Sequence, residues 1–254
     1  MKIAIVTGAS SGMGREFVVQ LAEKENYDEI WAIARREDRL LELKEQVPCV
    51  RPLAMDLTLP ASLEKLQEML KEFAPEVKTL VNAGGFGKFG TYEDVPLNDS
   101  MNMIDLNAKA LVAVTKTVLP YMQRGSCVVQ LDSLSAFQPV PYLNVYAATK
   151  AFVLSYSRGL NVELKPRGIR VMAVCPGWVR TEFFDRAETT SDSAVTYFNV
   201  VYEAADVVRT AIRDMERGKK DGSIHGAPVR WQVRLVKLLP HRLVMKIWMR
   251  QQKH

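Results

Sequence analysis

Residues 2–17 of the chain read KIAIVTGASSGMGREF, and this stretch decides the fold. Its first six residues form a largely apolar, β-branched run that is typical of a buried strand, and the apolar spacing that follows is that of a helix. The three glycines between them allow a tight turn and a close approach of backbone N–H groups to a pyrophosphate at the helix N-terminus. Because their spacing is G-x3-G-x-G, the stretch predicts a dinucleotide site, with an ordinary Gly- and Ser-rich loop as the alternative. The candidate contacts in this turn are Gly8, Ser10, Ser11, Gly12, Met13 and Gly14.

Short apolar runs recur along the chain and alternate with longer amphipathic stretches. Because these runs are continuous, they indicate strands that are covered on both faces, as in a parallel sheet. The pattern predicts an α/β fold in which one Rossmann-type, doubly wound parallel sheet is flanked by helices on both faces, in a single domain spanning residues 1–254. The predicted strands are Ile3 to Thr7, Glu29 to Ala34, Val50 to Met55, Thr79 to Asn82, Cys127 to Leu131 and Ile169 to Val174. The predicted helices are Arg15 to Lys24, Ser62 to Phe73, Asn98 to Met122 and Tyr146 to Leu164.

The composition is that of a folded globular protein, with 48% hydrophobic and 25% charged residues among 254. A chain of this length buries roughly three-quarters of its unfolded surface, so its core needs no metal or disulfide. The three cysteines include no CxxC pair, and no histidine stands at metal-ligand spacing. The first apolar run is too short for a signal peptide, and no uncharged stretch approaches the roughly 20 residues that span a bilayer. We therefore expect a cytoplasmic protein without a metal site or a transmembrane segment.

The positive charge is concentrated at the C-terminal end. The formal net charge is +5, yet no acidic residue follows Asp221, so residues 229–254 form a basic amphipathic extension on a near-neutral body. This distribution excludes a uniformly basic surface for nucleic acid. Trp231, Leu235 and Leu238 recur at helical spacing in the extension, and such a stripe most often packs on the protein's own body. It could equally cover a substrate pocket, meet another subunit or lie on an anionic membrane surface.

The second predicted strand ends at Arg35 and Arg36, where a dinucleotide fold meets the adenosine ribose. Cations at this point match a 2′-phosphate, whereas a carboxylate would accept from a 2′-hydroxyl. Arg35, together with Arg15, therefore favours NADP(H) over NAD(H). The acidic pair at residues 37–38 leaves a solvated charge cluster as the alternative. Asp56, after the third strand, either accepts from the adenine amino group or caps the following helix.

Tyr146 and Lys150 stand four residues apart at the start of a predicted helix, so both side chains lie on one face. A phenol is a poor acid–base group at neutral pH because its pKa is about 10, but an adjacent ammonium and an oxidised nicotinamide lower that pKa. The pair thus predicts an acid–base group that a lysine activates. Taken alone, the same spacing is also common on a partly buried helix face.

Several motifs, in the right order along the chain, make it resemble the short-chain dehydrogenase/reductase family, in its NADP-preferring form. The matches cover nearly the whole chain. The matching segments are the turn at residues 7–14 (TGxxxGxG in the family), Asn82-Ala83-Gly84 (the NNAG segment), Asn107, Ser133 at 13 residues before Tyr146, and Pro176-Gly177. Val81 replaces the first Asn of NNAG, and Gly84 to Gly87 extend the turn beyond the family pattern.

This resemblance implies that Tyr146 donates a proton to a carbonyl oxygen as hydride arrives from the nicotinamide, while Ser133 hydrogen-bonds the same oxygen. It also implies that Lys150 holds the nicotinamide ribose and that Asn107 holds a water linking Lys150 to solvent. Tyr142 is a nearby competitor, but the spacing to Lys150 selects Tyr146. The implied cofactor contacts beyond the turn are Arg15, Arg35, Asp56, Leu57, Asn82, Ala83, Gly84, Tyr146, Lys150, Pro176, Gly177, Val179 and Thr181.

Aromatic residues with few charges among them surround this presumed reaction centre. They predict a mainly apolar pocket for a ketone, aldehyde or alcohol on a hydrophobic skeleton, with simple core packing as the alternative. The stretch from Phe183 to Phe198, polar in the middle and aromatic at its ends, predicts a mobile lid over the substrate. The candidate substrate contacts are Phe86, Ser135, Phe137, Tyr142, Trp178, Phe183 and Phe184.

These observations favour an NADP(H)-dependent carbonyl reductase, or alcohol dehydrogenase in the reverse direction, that acts on a hydrophobic small molecule. The family resemblance implies a homodimer or homotetramer. Two other hypotheses stay open: a dinucleotide-binding regulatory or scaffold protein without turnover, and a surface adaptor that uses the basic extension.

Overall fold

The computed structural model describes residues 1–24, 27–188, 194–218 and 221–252. Among them, seven strands form a parallel sheet in the order β3-β2-β1-β4-β5-β6-β9. A second, two-stranded parallel sheet pairs β7 with β8. The strands are β1 (Lys2–Thr7), β2 (Glu29–Ala34), β3 (Val50–Ala54), β4 (Glu76–Asn82), β5 (Cys127–Leu131), β6 (Arg170–Val174), β7 (Trp178–Arg180), β8 (Val201–Glu203) and β9 (Gly222–Ser223).

Helices cover both faces of the large sheet. They are α1 (Gly12–Lys24), α2 (Glu37–Gln46), α3 (Pro60–Phe73), α4 (Leu97–Ile104), α5 (Leu111–Val118), α6 (Asn144–Leu164), α7 (Phe183–Ala187), α8 (Ala204–Arg217), α9 (Ala227–Leu238) and α10 (His241–Gln251). Short 3-10 turns occupy Leu119–Tyr121, Leu134–Phe137 and Lys165–Arg167, and a π-helical segment spans Asp105–Ala110.

Each face of the sheet has its own hydrophobic core, which is why the strands are apolar on both sides. On one face, α1, α2 and α8 bury side chains such as Phe17, Leu40 and Val208 against the sheet. On the other face, α3, α5 and α6 contribute Leu66, Val114 and Leu164 to a second core. The predicted doubly wound α/β fold is therefore confirmed.

The strand order creates a crevice at the carboxyl ends of β1 and β4. The chain runs from β1 outward through β2 to β3, and then returns to place β4 on the other side of β1. At such a reversal the two crossover connections leave on opposite faces of the sheet, so the loops after the neighbouring strands diverge and leave room for a ligand. The Gly-rich turn follows β1 and the Asn82-Ala83-Gly84 segment ends β4, so both border this crevice.

Several elements differ from the sequence prediction. The stretch predicted as one helix over 98–122 is divided, because the π-helical segment at Asp105–Ala110 inserts a wider turn between α4 and α5. Helices α2 and α8 were not predicted, although the hydrophobic face of α8 is strong enough to bury Val207, Val208 and Ala211 together. Within the described ranges, every helix is too short or too polar to cross a bilayer.

Candidate active site

A cavity of about 1040 Å³ opens at the carboxyl ends of the central strands. It joins the Gly-rich turn, the ends of β2 to β6, the start of α6 and the last two helices. Most of the residues proposed from sequence for cofactor and catalysis line this one cavity. They are Gly8, Ser10, Ser11, Gly12, Met13, Gly14, Arg35, Asp56, Leu57, Ala83, Gly84, Ser133, Tyr146, Lys150, Pro176, Gly177, Val179 and Thr181.

The Gly-rich turn is a cradle that side chains would fill. Gly8 has φ +67°, and a Cβ atom there would lie 2.7 Å from the backbone nitrogen of Gly84. A Cβ atom at Gly14 would collide with the carbonyl oxygen of Gly8. Because α1 begins at Gly12, the free N–H groups of its first turn border the cavity beside this bare backbone. The turn therefore fits the pyrophosphate of a dinucleotide.

Two buried polar atoms on the cavity wall also call for a ligand or water. Within the described part of the chain, the hydroxyl oxygen of Ser135 and one carboxylate oxygen of Asp132 have no hydrogen-bond partner. Such atoms are costly to leave unpaired in a folded interior. The polar wall beyond the glycine turn is therefore consistent with a bound polar molecule.

Arginines gather at the end of β2. Nε and one terminal nitrogen of Arg36 donate to the Ser10 hydroxyl at 3.3 and 3.1 Å, and the other terminal nitrogen pairs with Glu182 at 2.8 Å. Arg35 lies 3.8 Å from a carboxylate oxygen of Asp56. Arg186 reaches the same cavity from α7. Arginine is the side chain whose geometry suits phosphate recognition.

Arg15 does not take part in this cluster. Its guanidinium donates to the side chain of Gln46 at 2.6 Å, and it is absent from the cavity wall. The expectation that Arg15 contacts the cofactor is therefore wrong, because the residue directly after Gly14 already points away from the cavity, toward Gln46 at the end of α2. Asp56 accepts from the backbone and hydroxyl of Thr58, at 3.0 and 2.7 Å, while still lining the cavity. It thus makes a capping-type contact within the cavity wall.

Tyr146 and Lys150 occupy successive turns of α6, as their spacing predicts. The Lys150 ammonium is buried and donates to the carbonyl oxygen of Leu131 at 2.7 Å, which fixes it at the end of β5. It lies 5.6 Å from the centroid of the Tyr146 ring. The Ser133 hydroxyl is close enough to the Tyr146 phenol to lower its pKa, and it accepts from the backbone N–H of Ser135 at 3.1 Å. Two hydroxyls and one ammonium therefore meet on the cavity wall.

The electrostatics of this cluster depend on burial. Burial raises the pKa of the Tyr146 phenol above its ordinary value, the hydrogen bond from Ser133 lowers it, and the charge of Asp132 raises it again. Burial lowers the pKa of Lys150, while the carboxylate of Asp132 acts in the opposite direction. Burial also raises the pKa of Asp132 to about 7, although the nearby Lys150 ammonium opposes that shift. The protonation states of Tyr146, Lys150 and Asp132 therefore depend on one another.

Asn107 lies behind the cavity rather than on its wall. It is fully buried at the π-helical segment and donates to the Phe86 carbonyl at 2.9 Å and the Thr149 hydroxyl at 3.1 Å. The side-chain oxygen of Asn107 accepts from the backbone N–H of Phe86 at 3.0 Å. A Cβ atom at Gly85 would stand 2.9 Å from the Asn107 carbonyl and 3.7 Å from the Lys150 ammonium. Asn107 therefore joins the loop after β4 to α6 close to Lys150.

The remaining candidates separate into two groups. Phe86, Ser135, Trp178 and Phe183 line the cavity. Asn82, Phe137, Tyr142 and Phe184 do not. The Asn82 side chain is instead buried. Its amide nitrogen donates to the side-chain oxygens of Thr115 in α5 and Gln130 in β5, at 3.0 Å each, because the last side chain of β4 points toward these two elements.

Aromatic rings pack beside the reaction cluster. Phe183 lies 5.4 Å from Tyr146 and 6.1 Å from Phe89, measured between ring centroids. Phe184 packs on Trp178 at 5.8 Å, behind the wall. Of the predicted lid, α7 and residues 194–198 are described and residues 189–193 lie outside the described residues. The described ends of that segment supply the apolar side of the cavity.

Several lining residues were missed by sequence reasoning. Asp132 and Arg36 line the cavity, and the one sequence signal for each was its position next to a predicted site residue, Ser133 and Arg35 respectively. Glu182 directly precedes the predicted lid and Arg186 lies within it, and both reach the cavity only through the fold. Helices α9 and α10 contribute a whole wall, in line with the alternative that the extension covers a substrate pocket, but its lining residues were not named from sequence. Their lining residues are Pro228, Trp231, Gln232, Leu235, Val236, Val244, Ile247, Trp248 and Gln251.

Known proteins similar to this chain share this architecture. The sequence profile described as short chain dehydrogenase matches residues 2–192. Sulfoacetaldehyde reductase 2 from Chromohalobacter salexigens is 37% identical over 191 residues, which cover 71% of this chain and 74% of that protein. A short-chain dehydrogenase from Sphingobium yanoikuyae, solved in complex with NADPH, has a TM-score of 0.78 at 29% identity, covering 100% of this chain and 98% of that chain. The bulky-bulky ketone specific alcohol dehydrogenase from Comamonas testosteroni has a TM-score of 0.73 at 26% identity, covering 100% and 97%.

Proposed function

Because this chain belongs to the short-chain dehydrogenase/reductase family, whose members are oxidoreductases acting between alcohols and carbonyls with a nicotinamide cofactor, we propose that it reduces a hydrophobic ketone or aldehyde with NADPH. The observation that carries this proposal is the placement of Ser133, Tyr146 and Lys150 on the wall of the cavity that the Gly-rich turn also borders. A proton donor and a phosphate cradle thus face one space.

The chain's own residues act on the substrate oxygen. When bound, a reduced nicotinamide supplies hydride to the carbonyl carbon. The hydroxyls of Ser133 and Tyr146, which line the same cavity, both donate to the carbonyl oxygen, and Tyr146 transfers its proton to that oxygen. The Lys150 ammonium stabilises the phenolate that results, since an adjacent cation favours the charged form. In the reverse direction the same phenolate removes the alcohol proton.

The cofactor site includes the Gly-rich turn, Asp56, Leu57, Ala83, Gly84, Pro176, Gly177, Val179 and Thr181, together with Tyr146 and Lys150. Preference for NADP(H) rests on Arg35 and Arg36, whose guanidinium groups border the cavity at the end of β2. Arg36 replaces Arg15 in this assignment, because Arg15 is bound to Gln46 away from the cavity. Support also comes from the relative solved with NADPH.

The substrate class follows from the wall opposite the cofactor. Phe86, Trp178 and Phe183 form its inner part, and α9 and α10 add Val236, Val244 and Trp248. This part of the described wall is mainly apolar, with the Arg186 guanidinium over the Phe86 ring at 4.0 Å as its charged neighbour, and an apolar skeleton is favoured over a small ionised one. The ketone-specific relative from Comamonas testosteroni supports this choice, whereas the sulfoacetaldehyde reductase marks the charged alternative.

The experiment compares Tyr146→Phe with Tyr142→Phe against a panel of hydrophobic ketones, with NADPH consumption and NADPH binding measured separately. Removing the proton donor should lower kcat about 10² to 10⁴-fold, with NADPH affinity kept. Tyr142→Phe should retain turnover, because that side chain is not on the cavity wall. Equal NADPH consumption by Tyr146→Phe and the parent would reject Tyr146 as the proton donor. NADPH binding without consumption by either protein would favour a dinucleotide-binding protein without turnover.

A further inference from the structure

Helices α9 and α10 carry cations that form no ion pair with any acidic side chain of the described residues. Residues 222–252 contain no Asp or Glu. The six basic side chains that the structure describes there form no ion pair with the rest of the described chain, in contrast to pairs such as Arg36 with Glu182. These six residues are Arg230, Arg234, Lys237, Arg242, Lys246 and Arg250. They leave one end of the molecule with a concentrated positive field.

The apolar stripe predicted from sequence faces outward instead of packing inward. In α9 the buried side chains are Val229, Val233 and Val236. Trp231, Leu235 and Leu238 lie on the opposite side of that helix, at about 100° of rotation per residue. Trp231 is 61% exposed and Leu238 is 81% exposed. Leu238 therefore does not pack on the protein's own body, because the valines already occupy the inward face of α9. Trp231 and Leu235 are exposed too but also line the cavity, as the alternative of a covered substrate pocket implies.

Helix α10 repeats the arrangement. Val244 is buried, whereas Leu243 and Ile247, four residues apart, are exposed. We call the outward surface formed by Trp231, Leu235, Leu238, Leu243 and Ile247 the tail face. Large apolar side chains clustered in this way at a surface mark a contact site, and flanking cations define what that contact can be.

The tail face is continuous with the mouth of the cavity. Trp231, Leu235 and Ile247 are exposed on the outside and also line the cavity. A molecule that covers the tail face therefore covers this side of the cavity mouth. An apolar substrate dissolved in that covering layer could enter the cavity without crossing bulk water.

We propose that the tail face binds the surface of an anionic phospholipid membrane, with its apolar side chains at the headgroup–acyl boundary and its cations among the lipid phosphates. An amphipathic helix with Trp and Leu on one side and Lys or Arg beside them is stabilised at such an interface by buried apolar area and by attraction to anionic lipid. The charge of the surface and its apolar stripe both match this one partner.

Charge also decides against a second copy of the chain as the occupant. In a two-fold symmetric contact the same surface meets itself, so two clusters of unpaired cations would face each other with no acidic residue to separate them. Nucleic acid would satisfy the cations but would leave Leu238 and Leu243 without an apolar partner. An anionic bilayer satisfies both requirements.

The test is flotation of the full chain with vesicles of phosphatidylcholine alone or of phosphatidylcholine mixed with phosphatidylglycerol. Two variants address the two features: Leu238→Ser with Leu243→Ser, and Arg242→Gln with Lys246→Gln. Neither pair lines the cavity. Matched controls lie elsewhere on the surface: Leu97→Ser with Met101→Ser removes exposed apolar side chains, and Lys116→Gln with Lys165→Gln removes exposed cations.

The parent and both controls should float with the phosphatidylglycerol vesicles and stay unbound with phosphatidylcholine alone. Removing two cations should weaken binding about thirtyfold, since each basic residue near an anionic surface contributes about 1 kcal/mol. The double leucine variant should lose binding by a similar factor. Unchanged urea midpoints and NADPH binding confirm that each variant is folded.

Three results would overturn the proposal. The first is equal flotation of the parent and both tail-face variants. The second is equal binding to the two kinds of vesicle, which would remove the role of charge. The third is concentration-dependent self-association that Leu238→Ser abolishes in the absence of any flotation, which would assign the tail face to a second copy. Because flotation needs no turnover, these results are independent of the proposed reaction.

Discussion

Asp132 is a buried carboxyl group between the proton-transfer residues and the sheet. It is 1% exposed, and its side chain accepts from the Cys175 thiol at 3.7 Å. Burial raises its pKa to about 7, against the opposing effect of the Lys150 ammonium. Ionised Asp132 in turn raises the pKa of Tyr146. Near neutral pH the charge of this one carboxyl group therefore changes the acidity of the phenol.

The variant Asp132→Asn keeps the shape of the side chain and removes its charge. Alcohol oxidation needs Tyr146 as the phenolate, so a lower phenol pKa moves the rising limb of the rate to lower pH. We expect the pH profile of kcat/KM for oxidation to shift down by about one unit. The measurement is that profile for the parent and the variant with one alcohol substrate. A limb that stays in place, or moves to higher pH, would contradict the role of Asp132.

Arg35 and Arg36 define the cofactor prediction at the residue scale. Replacing both by Ala removes charge-assisted contacts to a 2′-phosphate, each contributing about 1.5 to 3 kcal/mol. The KM for NADPH should therefore rise by at least tenfold, with the KM for NADH little changed. Arg39→Ala is the matched control, because Arg39 is exposed in the following helix α2, pairs with Glu42 at 3.9 Å and does not line the cavity. An equal rise for both cofactors in the double variant would show that these arginines do not select phosphate.

At the scale of the element, the π-helical segment at Asp105–Ala110 determines where the Asn107 side chain lies. It turns Asn107 inward, where three hydrogen bonds connect the loop after β4 to α6. The sequence pattern of residues 98–122 predicts a continuous helix. A single wider turn adds one residue and leaves the apolar spacing on either side helical, so periodicity does not reveal it. A polar side chain in an apolar helix face was the available signal, and Asn107 was selected for its family match instead.

Asn107→Ala should destabilise the protein by about 2 to 4 kcal/mol, because it leaves the Phe86 backbone groups unpaired in the interior. Asn102→Ala, on the exposed side of α4, should change stability by less than about 0.5 kcal/mol. Urea denaturation of the two variants gives the comparison. Equal stabilities would mean that water replaces Asn107 without cost and that the segment is not held by these bonds.

Strands and site differ in how far the sequence predicts them. The six strands predicted from continuous apolar runs all occur, because burial on both faces imposes that composition. The Gly-rich turn and the Tyr146–Lys150 pair were also found, since local spacing determines them. Arg15 was not placed correctly, because its direction depends on where α2 packs. Arg186 and the wall from α9 and α10 depend on contacts between distant segments, which no local pattern contains.

At the scale of the whole molecule, chemistry and charge occupy different regions. The carboxyl ends of the central strands hold the reaction cluster, and the last two helices hold the unpaired cations beside the cavity mouth. The sequence located that charge, but not the outward direction of Trp231 and Leu238. Periodicity identifies an apolar face without saying what covers it. In this chain the valines cover the body, and the larger side chains remain at the surface.

The most direct test of the central claim follows one hydride and one proton through the cluster of Ser133, Tyr146 and Lys150. The parent enzyme is given a hydrophobic ketone and NADPH carrying deuterium at its transferable position, and the alcohol is analysed by mass spectrometry and NMR. We predict one deuterium on the carbinol carbon from the parent, and loss of this product with Tyr146→Phe. Alcohol without deuterium at that carbon, or equal labelled product from Tyr146→Phe, would contradict the account.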